Sequence, residues 1–433
     1  MKDRSGDVLR KVLIENLFYL YVVQIANYVL PFITFPFLVR MLGPKNFGLM
    51  AFVFAFIYYF VVIVDYGFNL TATKQIAVNR SDPAKILKIF NEVLFVKTLL
   101  MFICGIVVAL LVLLIPKLHE NWFLYSIAFG AVIGNVLLPQ WFYQGIEKMK
   151  YIALFNLSGK VLSTLGIFVF IRGESDYRLA IIIQVCGIII PGIVSMVHCV
   201  TKYQIKLQIP TVREIKDQLI DGWHVFVSQI SMIIYSNSPI ITLGMFASYQ
   251  IVGYYSIAQK IISAAVNVCN PISAALFPRV GLLFHTAKLQ ALMLLRKVLF
   301  VGLVAFVLLS IGLWAASDYL VLLIAGERLP EVSSLIKIMS LMPLMVFIDN
   351  IFGTQILLNI GHKNKYMRAL LSGSIVSMIL SFIVIPYWNL NGAAIVVIST
   401  EMVIMFMMVI PAHRLGYSIS NLFAAHKQYA KTF

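Results

Sequence analysis

An all-α polytopic membrane protein, with about twelve transmembrane helices in two six-helix lobes, is the fold this sequence predicts. Three observations predict it: a scarcity of charge, a succession of long apolar windows, and an outline in the first half that returns in the second. Only 12% of the 433 residues are charged and 61% are hydrophobic, where a soluble domain carries about 25% and 45–50%. Mean hydropathy is +0.92. A helix needs about 20 apolar residues to cross a bilayer core roughly 30 Å thick. Twelve windows meet that need, near 12–39, 46–68, 84–115, 121–144, 151–171, 178–201, 217–244, 248–277, 296–317, 331–359, 364–386 and 390–413.

No connection between windows is long enough for a folded domain outside the membrane. The longest, KYQIKLQIPTVREIK at 202–216, is polar and basic and falls near the middle. The expected organisation is therefore an N-terminal lobe at 1–205, a cytoplasmic linker at 206–216 and a C-terminal lobe at 217–433. The N-terminal segment MKDRSGDVLRK precedes an apolar run that is too long for a secretory signal and lacks a small-residue cleavage site, so it reads as a first span that stays in place.

Charge placement gives the orientation. With the N-terminus inside, inner connections and tails hold 24 of the 34 Lys and Arg, outer connections hold six, and four lie within spans. Basic residues gather on the cytoplasmic side of short loops, so both termini are expected in the cytoplasm. The same placement accounts for most of the net charge of +16 and removes the case for nucleic-acid binding.

The repeat is clearest at PQWFYQGIEKMKY, residues 139–151. Shifted by 215 residues, Gln140 meets Gln355, Gln144 meets Asn359, Lys148 meets Lys363, Lys150 meets Lys365 and Tyr151 meets Tyr366. A weaker register pairs Asn16 with Asp221, Gln24 with Gln229 and Gly48 with Gly253. Six spans per half is an even number, so both halves enter from one side, related by a pseudo-twofold axis along the membrane normal. Transporters built this way bind substrate near the midplane. The four matched amides are expected to line the inner mouth of a cavity, with the aromatics of the segment at the inner interface.

Ionisable and polar groups inside spans need partners or a wet cavity. Gln24, Asn27, Pro31 and Thr34 share one face of span 1, and Ser228, Ser231, Tyr235, Ser238 and Thr242 share one face of span 7. Each stripe reads either as lumen lining, together with nearby Asn237, or as interhelical hydrogen-bond glue. Lys97, Lys160 and Lys260 lie at depth, with Lys260 nearest the middle of its span; the first two could also snorkel to the headgroups. Lys337 is close enough to a span start to snorkel. Asp65, Asp349 and Glu401 are the acids at depth and the candidates for ion coupling. A cavity with more cations than anions favours an anionic substrate.

Several chemistries lack their motifs. No phosphate-binding loop, zinc-protease helix or dinucleotide fingerprint occurs. The seven histidines show no ligand spacing, and the four cysteines (Cys104, Cys186, Cys199, Cys269) sit in or beside spans with no disulfide or metal pattern. No metal and no cofactor is expected.

RMLGPKNFGLMAF (40–52), DYGFNLTATKQIA (65–77), PQWFYQGIEKMKY and SNSPIITLGMFASYQIVGYYSIAQKI (236–261) together resemble the polysaccharide-exporter branch of the multidrug/oligosaccharidyl-lipid/polysaccharide flippases, and most of all its bacterial O-antigen (Wzx-type) flippases. The resemblance runs the length of the chain. It implies a MATE-like bundle whose lobes rock around a central cavity. The implied cargo is an undecaprenyl-pyrophosphate-linked oligosaccharide, moved from the cytoplasmic to the periplasmic leaflet of the bilayer; other surface-glycan assembly proteins are implied partners. Related lipid II flippases carry a basic residue after a Tyr-Tyr pair in the eighth span, which here points from Tyr254-Tyr255 to Lys260 as a pyrophosphate contact. Span 1 departs from that branch in holding no arginine within the helix, so Lys97 and Lys160 are expected to complete the clamp. An ion-coupled multidrug exporter of the same fold is the second reading. A membrane-embedded glycan polymerase or ligase is a third, disfavoured by short outer loops poor in Asp, Glu and His.

Overall fold

The computed structural model describes residues 2–417, with side chains described from residue 29 onward. The chain is helical throughout its spans, with no strand among the described residues. Helix α1 (Lys2–Asp65) has 64 residues and contains Pro31, Pro36 and Pro44. Its continuity is only apparent, because Gly43 sits at φ +70°, ψ 165°. The rings of Phe35 and Phe47 lie 5.6 Å apart, where a straight helix would separate them by about 18 Å along its axis. The chain therefore turns back at Gly43, a residue whose missing side chain permits that backbone.

The rest of the first half follows as α2 (Phe68–Val78), α3 (Pro83–Leu114), α4 (Pro116–His119), α5 (Trp122–Ala128), α6 (Gly130–Leu137), α7 (Gln140–Gly145), α8 (Met149–Phe170) and α9 (Tyr177–Lys202). Then come α10 (Val212–Phe246), α11 (Tyr249–Val266), α12 (Cys269–Thr286), α13 (Lys288–Ala315), α14 (Ser317–Ala325), α15 (Pro330–Met339) and α16 (Met342–Asp349). A π-helical segment, Asn350–Leu358, leads into α17 (Lys363–Arg414). Helix α17 also turns back, at Asn389 (φ 44°), so that Gly373 of its first arm packs on Ile404 and Thr400 of its second.

Among the described residues, ten stretches are long and apolar enough to cross a membrane. Two of them, Val29–Val78 and Lys363–Arg414, are about 50 residues long and fold back at Gly43 and Asn389, so ten stretches make twelve crossings. The protein is a multi-pass membrane protein.

Two compact units result, Met1–Ile230 and Ser231–Phe433. The boundary falls inside α10 rather than in the basic connection before it. In that connection Asn91 of α3 donates to the Lys206 carbonyl at 3.0 Å and accepts from the Gln208 N–H at 3.1 Å. Lys88 pairs with Glu214 at 2.5 Å. The linker is thus tied to the first unit by specific bonds that its loop-like composition did not announce.

Inside the first unit α8 and α9 meet backbone to backbone. A Cβ on Gly159 would lie 2.8 Å from Pro191 Cγ, and one on Gly187 would lie 2.7 Å from Ser163 Cβ. Close approach at small residues is how helices associate where lipid removes the hydrophobic drive. Gly159→Leu is therefore expected to cost on the order of 1–3 kcal/mol by overpacking and to lower both the melting temperature and the yield of monodisperse protein in detergent. Gly312→Leu, at a position with nothing within 4 Å, serves as the control that changes neither.

The PQWFYQG segment folds as core rather than as an interfacial belt. Trp141, Phe142 and Tyr143 are 1%, 2% and 0% exposed, packed with Phe68, Ile76, Phe90 and Cys199 in the first unit's hydrophobic core. Helix α7 is held against α2 by Thr73 Oγ1 donating to the Trp141 carbonyl at 3.1 Å, and by Arg80 donating twice to the Gly145 carbonyl. The aromatics expected at the inner interface are buried because α2, eleven residues that the apolar windows did not resolve, covers them together with α3, α8 and α9.

Candidate functional site

Two polar centres lie within the membrane-spanning helices, one in each unit. The first begins at the end of α1. Asp65 is followed by Tyr66 (φ 48°) and Gly67 (φ 82°), whose left-handed backbone separates α1 from α2. Asp65 Oδ1 accepts from Asn69 Nδ2 at 2.8 Å and from Lys97 Nζ at 3.2 Å. The Lys97 ammonium also reaches Asn135 Oδ1 at 3.3 Å, and the residue is 1% exposed. A charge this deep is tolerated only when paired and hydrogen-bonded, and Asp65 with two amides supplies that environment.

The second centre is a cavity of about 490 Å³ inside the C-terminal unit. Its polar lining comes from Tyr235 and Ser236 of α10, Tyr255, Gln259 and Asn267 in and after α11, Asp349, Asn350 and Thr354 around the π-helical segment, and Tyr366 and Glu401 of α17. Asp349 and Glu401 both line this cavity, close enough that their carboxyl groups repel when both are ionised, and both residues are buried, at 7% and 2% exposure. Tyr235 Oη donates to Glu401 Oε2. No Lys or Arg pairs with either acid among the described residues, and the Tyr255 hydroxyl is buried without a partner. π-Helical turns collect at functional sites because they aim side chains that a regular helix would not; here the segment begins directly after Asp349.

The other sequence-predicted residues are dispersed. Lys260 projects from α11, with its side chain exposed, next to the cavity-lining Gln259. Lys160 is half-buried on α8, and its ammonium has no partner among the described residues. Gln140 donates to Asn156 Oδ1 at 3.3 Å, while Gln144 is exposed. Gln355, their counterpart in the repeat, is fully buried; its amide donates to the Ser273 carbonyl and hydroxyl at 3.2 and 3.0 Å. Asn359 donates to the Gln355 and Phe277 carbonyls. Gln229 and Asn237 are half-buried on α10. The side chains of Gln24 and Asn27 lie outside the described residues.

Both readings of the α10 stripe find residues. Ser238 meets Ser377 at 2.7 Å and Ser381 at 3.3 Å, and Ser377 also donates to the Tyr235 carbonyl, so this part of the stripe bonds α10 to α17. Tyr235 itself opens into the cavity. Lys337 pairs with Asp318 at 3.1 Å. Sequence reasoning named Asp349 and Glu401 without joining them, and it missed Tyr235 as their hydroxyl donor. The only available signal was that each is an acid deep in an apolar window.

Over residues 13–284 the chain matches the family described as polysaccharide biosynthesis protein. It is 31% identical to a "Putative O-antigen transporter" of Escherichia coli (strain K12) over 394 residues, 91% of this chain and 95% of the relative. A Shigella dysenteriae protein of the same description is 28% identical over 398 residues, again 91% of this chain and 98% of the relative. Among solved structures, the lipid II flippase MurJ in an inward closed conformation aligns with TM-score 0.72 at 14% identity, covering 97% of this chain and 93% of that one. An inward-facing multidrug-resistance MATE family transporter aligns with TM-score 0.65 at 15% identity, covering 93% and 94%. The chain shares its fold with these two structures.

Proposed function

Because the chain belongs to the polysaccharide biosynthesis protein family, we propose that it is a flippase that moves lipid-linked oligosaccharide units across the bacterial inner membrane. The observation that carries this reading is likeness to a described O-antigen transporter over nine-tenths of the chain. The cargo in this reading is an undecaprenyl-pyrophosphate-linked glycan, carried from the cytoplasmic to the periplasmic leaflet by alternating access. The basic connections and both termini then face the cytoplasm. The role is transport rather than covalent chemistry.

The chemistry of such a cargo matches what the helices offer. A diphosphate binds best to Lys or Arg where the surrounding dielectric is low, and Lys260 supplies an ammonium on a spanning helix, next to the cavity-lining Gln259. Lys160 is the cation that this reading offers to a phosphate from the first unit. Sugar hydroxyls are recognised by amides and aromatic faces, which Gln24, Asn27, Gln140, Gln144, Gln229 and Asn237 offer along the spans. Asp349 and Glu401, joined in one cavity with Tyr235, are the ion-coupling centre. Gln355 and Asn359 hold the π-helical segment beside that centre, and Asp65 is committed to Lys97.

A multidrug exporter of the same fold is the second reading, favoured by the buried acid pair. A strain lacking the chain separates the two. The flippase reading expects surface glycan to disappear and lipid-linked glycan to accumulate where a membrane-impermeant oxidant cannot reach it. Normal surface glycan together with new sensitivity to cationic dyes would instead establish the exporter.

A further inference from the structure

We infer that Lys97 is a positioning residue: paired with Asp65, it fixes the turn between α1 and α2 on which the first half of α10 is docked. The inference rests on the transport reading above for its consequence, but not for its geometry.

The ammonium contacts point inward. Lys97 lies well inside α3, its nitrogen shared between Asp65 Oδ1 at 3.2 Å and Asn135 Oδ1 at 3.3 Å. A phosphate could capture it only by leaving the Asp65 carboxylate buried and unpaired, which is strongly unfavourable. Asp65 in turn stands at a demanding piece of backbone. Tyr66 has φ 48° without being glycine, and Gly67, the N-cap of α2, offers no side chain to cap that helix. Such conformations persist only where surrounding contacts over-determine them. The bond from Asn69 Nδ2 to Asp65 Oδ1 closes the turn across its two arms, and Lys97 holds the carboxylate in place from α3.

What the turn positions is a docking surface for α10. The Tyr66 ring stacks on Phe226 at 4.6 Å with the planes 7° apart. A Cβ on Gly222 would lie 2.7 Å from the Tyr66 ring, and one on Gly67 would lie 2.6 Å from Val225 Cγ1. Farther along α2, Gln75 donates to Gln218 at 3.3 Å and to Asp221 at 3.1 Å, and Gln218 donates to the buried Glu92 at 2.7 Å. Helix α2 thus holds α10 from Gln218 to Phe226, and the other end of α10 carries Tyr235 to the acid pair.

The test uses the full-length chain with Gln75→Cys and Gln218→Cys on a background without the four native cysteines, read by a short bifunctional thiol reagent in membranes. Lys97→Met is expected to lower both cross-linking and surface glycan per molecule in the membrane, each by at least about tenfold, since a carboxylate is left unpaired. Asp65→Asn combined with Lys97→Met removes both charges and is expected to restore both readouts. The proposal is overturned if the double variant cross-links normally yet exports no better than Lys97→Met, because the ammonium itself would then serve the cargo. It is equally overturned if Lys97→Met leaves cross-linking unchanged. Should deleting the chain leave surface glycan intact, the transport reading fails, while the cross-linking arm still decides the role of the pair.

Discussion

Lys260→Ala is expected to abolish surface glycan while the protein remains in the membrane at its normal abundance. Lys260 occupies the middle of α11, a helix whose neighbouring positions Ser256, Ile257 and Ala258 are buried, yet its own side chain is exposed. A charge-assisted hydrogen bond to phosphate is worth about 1.5–3 kcal/mol, which is roughly a 10- to 150-fold loss in binding when it is removed. Export requires the cargo to bind in every cycle, so the loss appears directly in the amount of glycan at the surface. Lys260→Arg keeps the charge and adds a planar fork suited to phosphate, and is expected to retain most of the export. Lys260→Met keeps the length without the charge and should behave as alanine does. Normal glycan in either neutral variant would remove Lys260 from the binding site.

The fold was legible because the bilayer enforces it. Every span must satisfy its own backbone groups, so apolar length alone marks a helix, and the twelve windows meet the twelve crossings within a few residues at most ends. What failed to register was local. The eleven residues of α2 follow directly on span 2, and only the Tyr66-Gly67 pair marks where one helix ends and the next begins. The π-helical segment NIFGTQILL has the composition of any apolar helix; its hydrogen-bond register is set by packing against α12 and α17. Aromatics near loops habitually sit at the interface, but Trp141, Phe142 and Tyr143 are buried by α2 and α3 from earlier in the chain and by α8 and α9 from later in it, which local sequence does not show.

The candidate sites were half legible for a related reason. An ionisable residue in a span announces itself, and Lys97, Asp65, Asp349 and Glu401 were all visible as such. Pairing is a property of three-dimensional packing, and nothing in the spacing of Asp65 and Lys97 says that their helices are neighbours. Knowing the partner reverses the reading of Lys97, from a cation offered to a substrate into one consumed by the protein. It leaves Lys260 and Lys160 as the cations proposed for the cargo, while among the described residues Asp349 and Glu401 share a cavity without a Lys or Arg in its lining.

Glu401→Gln is expected to uncouple the protein. Any two carboxylates about 4 Å apart would repel by about 4 kcal/mol at an effective dielectric near 20, and the cavity that Asp349 and Glu401 share provides no Lys or Arg among the described residues to offset such repulsion. A bound cation, whether a proton or a metal ion, offsets it instead. A site occupied in one conformation and vacated in another ties the conformational change to the gradient of that ion. Tyr235 links this event to α10, since its hydroxyl donates to Glu401 and its carbonyl accepts from Ser377 of α17. In everted membrane vesicles containing lipid-linked glycan, wild-type translocation should fall when the ion gradient is collapsed. In Glu401→Gln the rate should drop by at least about tenfold, a barrier increase of about 1.4 kcal/mol, and the residual rate should ignore the gradient. Asp349→Asn should behave the same way, and Tyr235→Phe more mildly, because it removes a donor but no charge. Replacing sodium by choline separates the ions: a sodium-coupled site loses its rate there, and a proton-coupled one keeps it. If Glu401→Gln translocates at the wild-type rate and remains as sensitive to the gradient, the acid pair is structural and coupling resides elsewhere in the bundle.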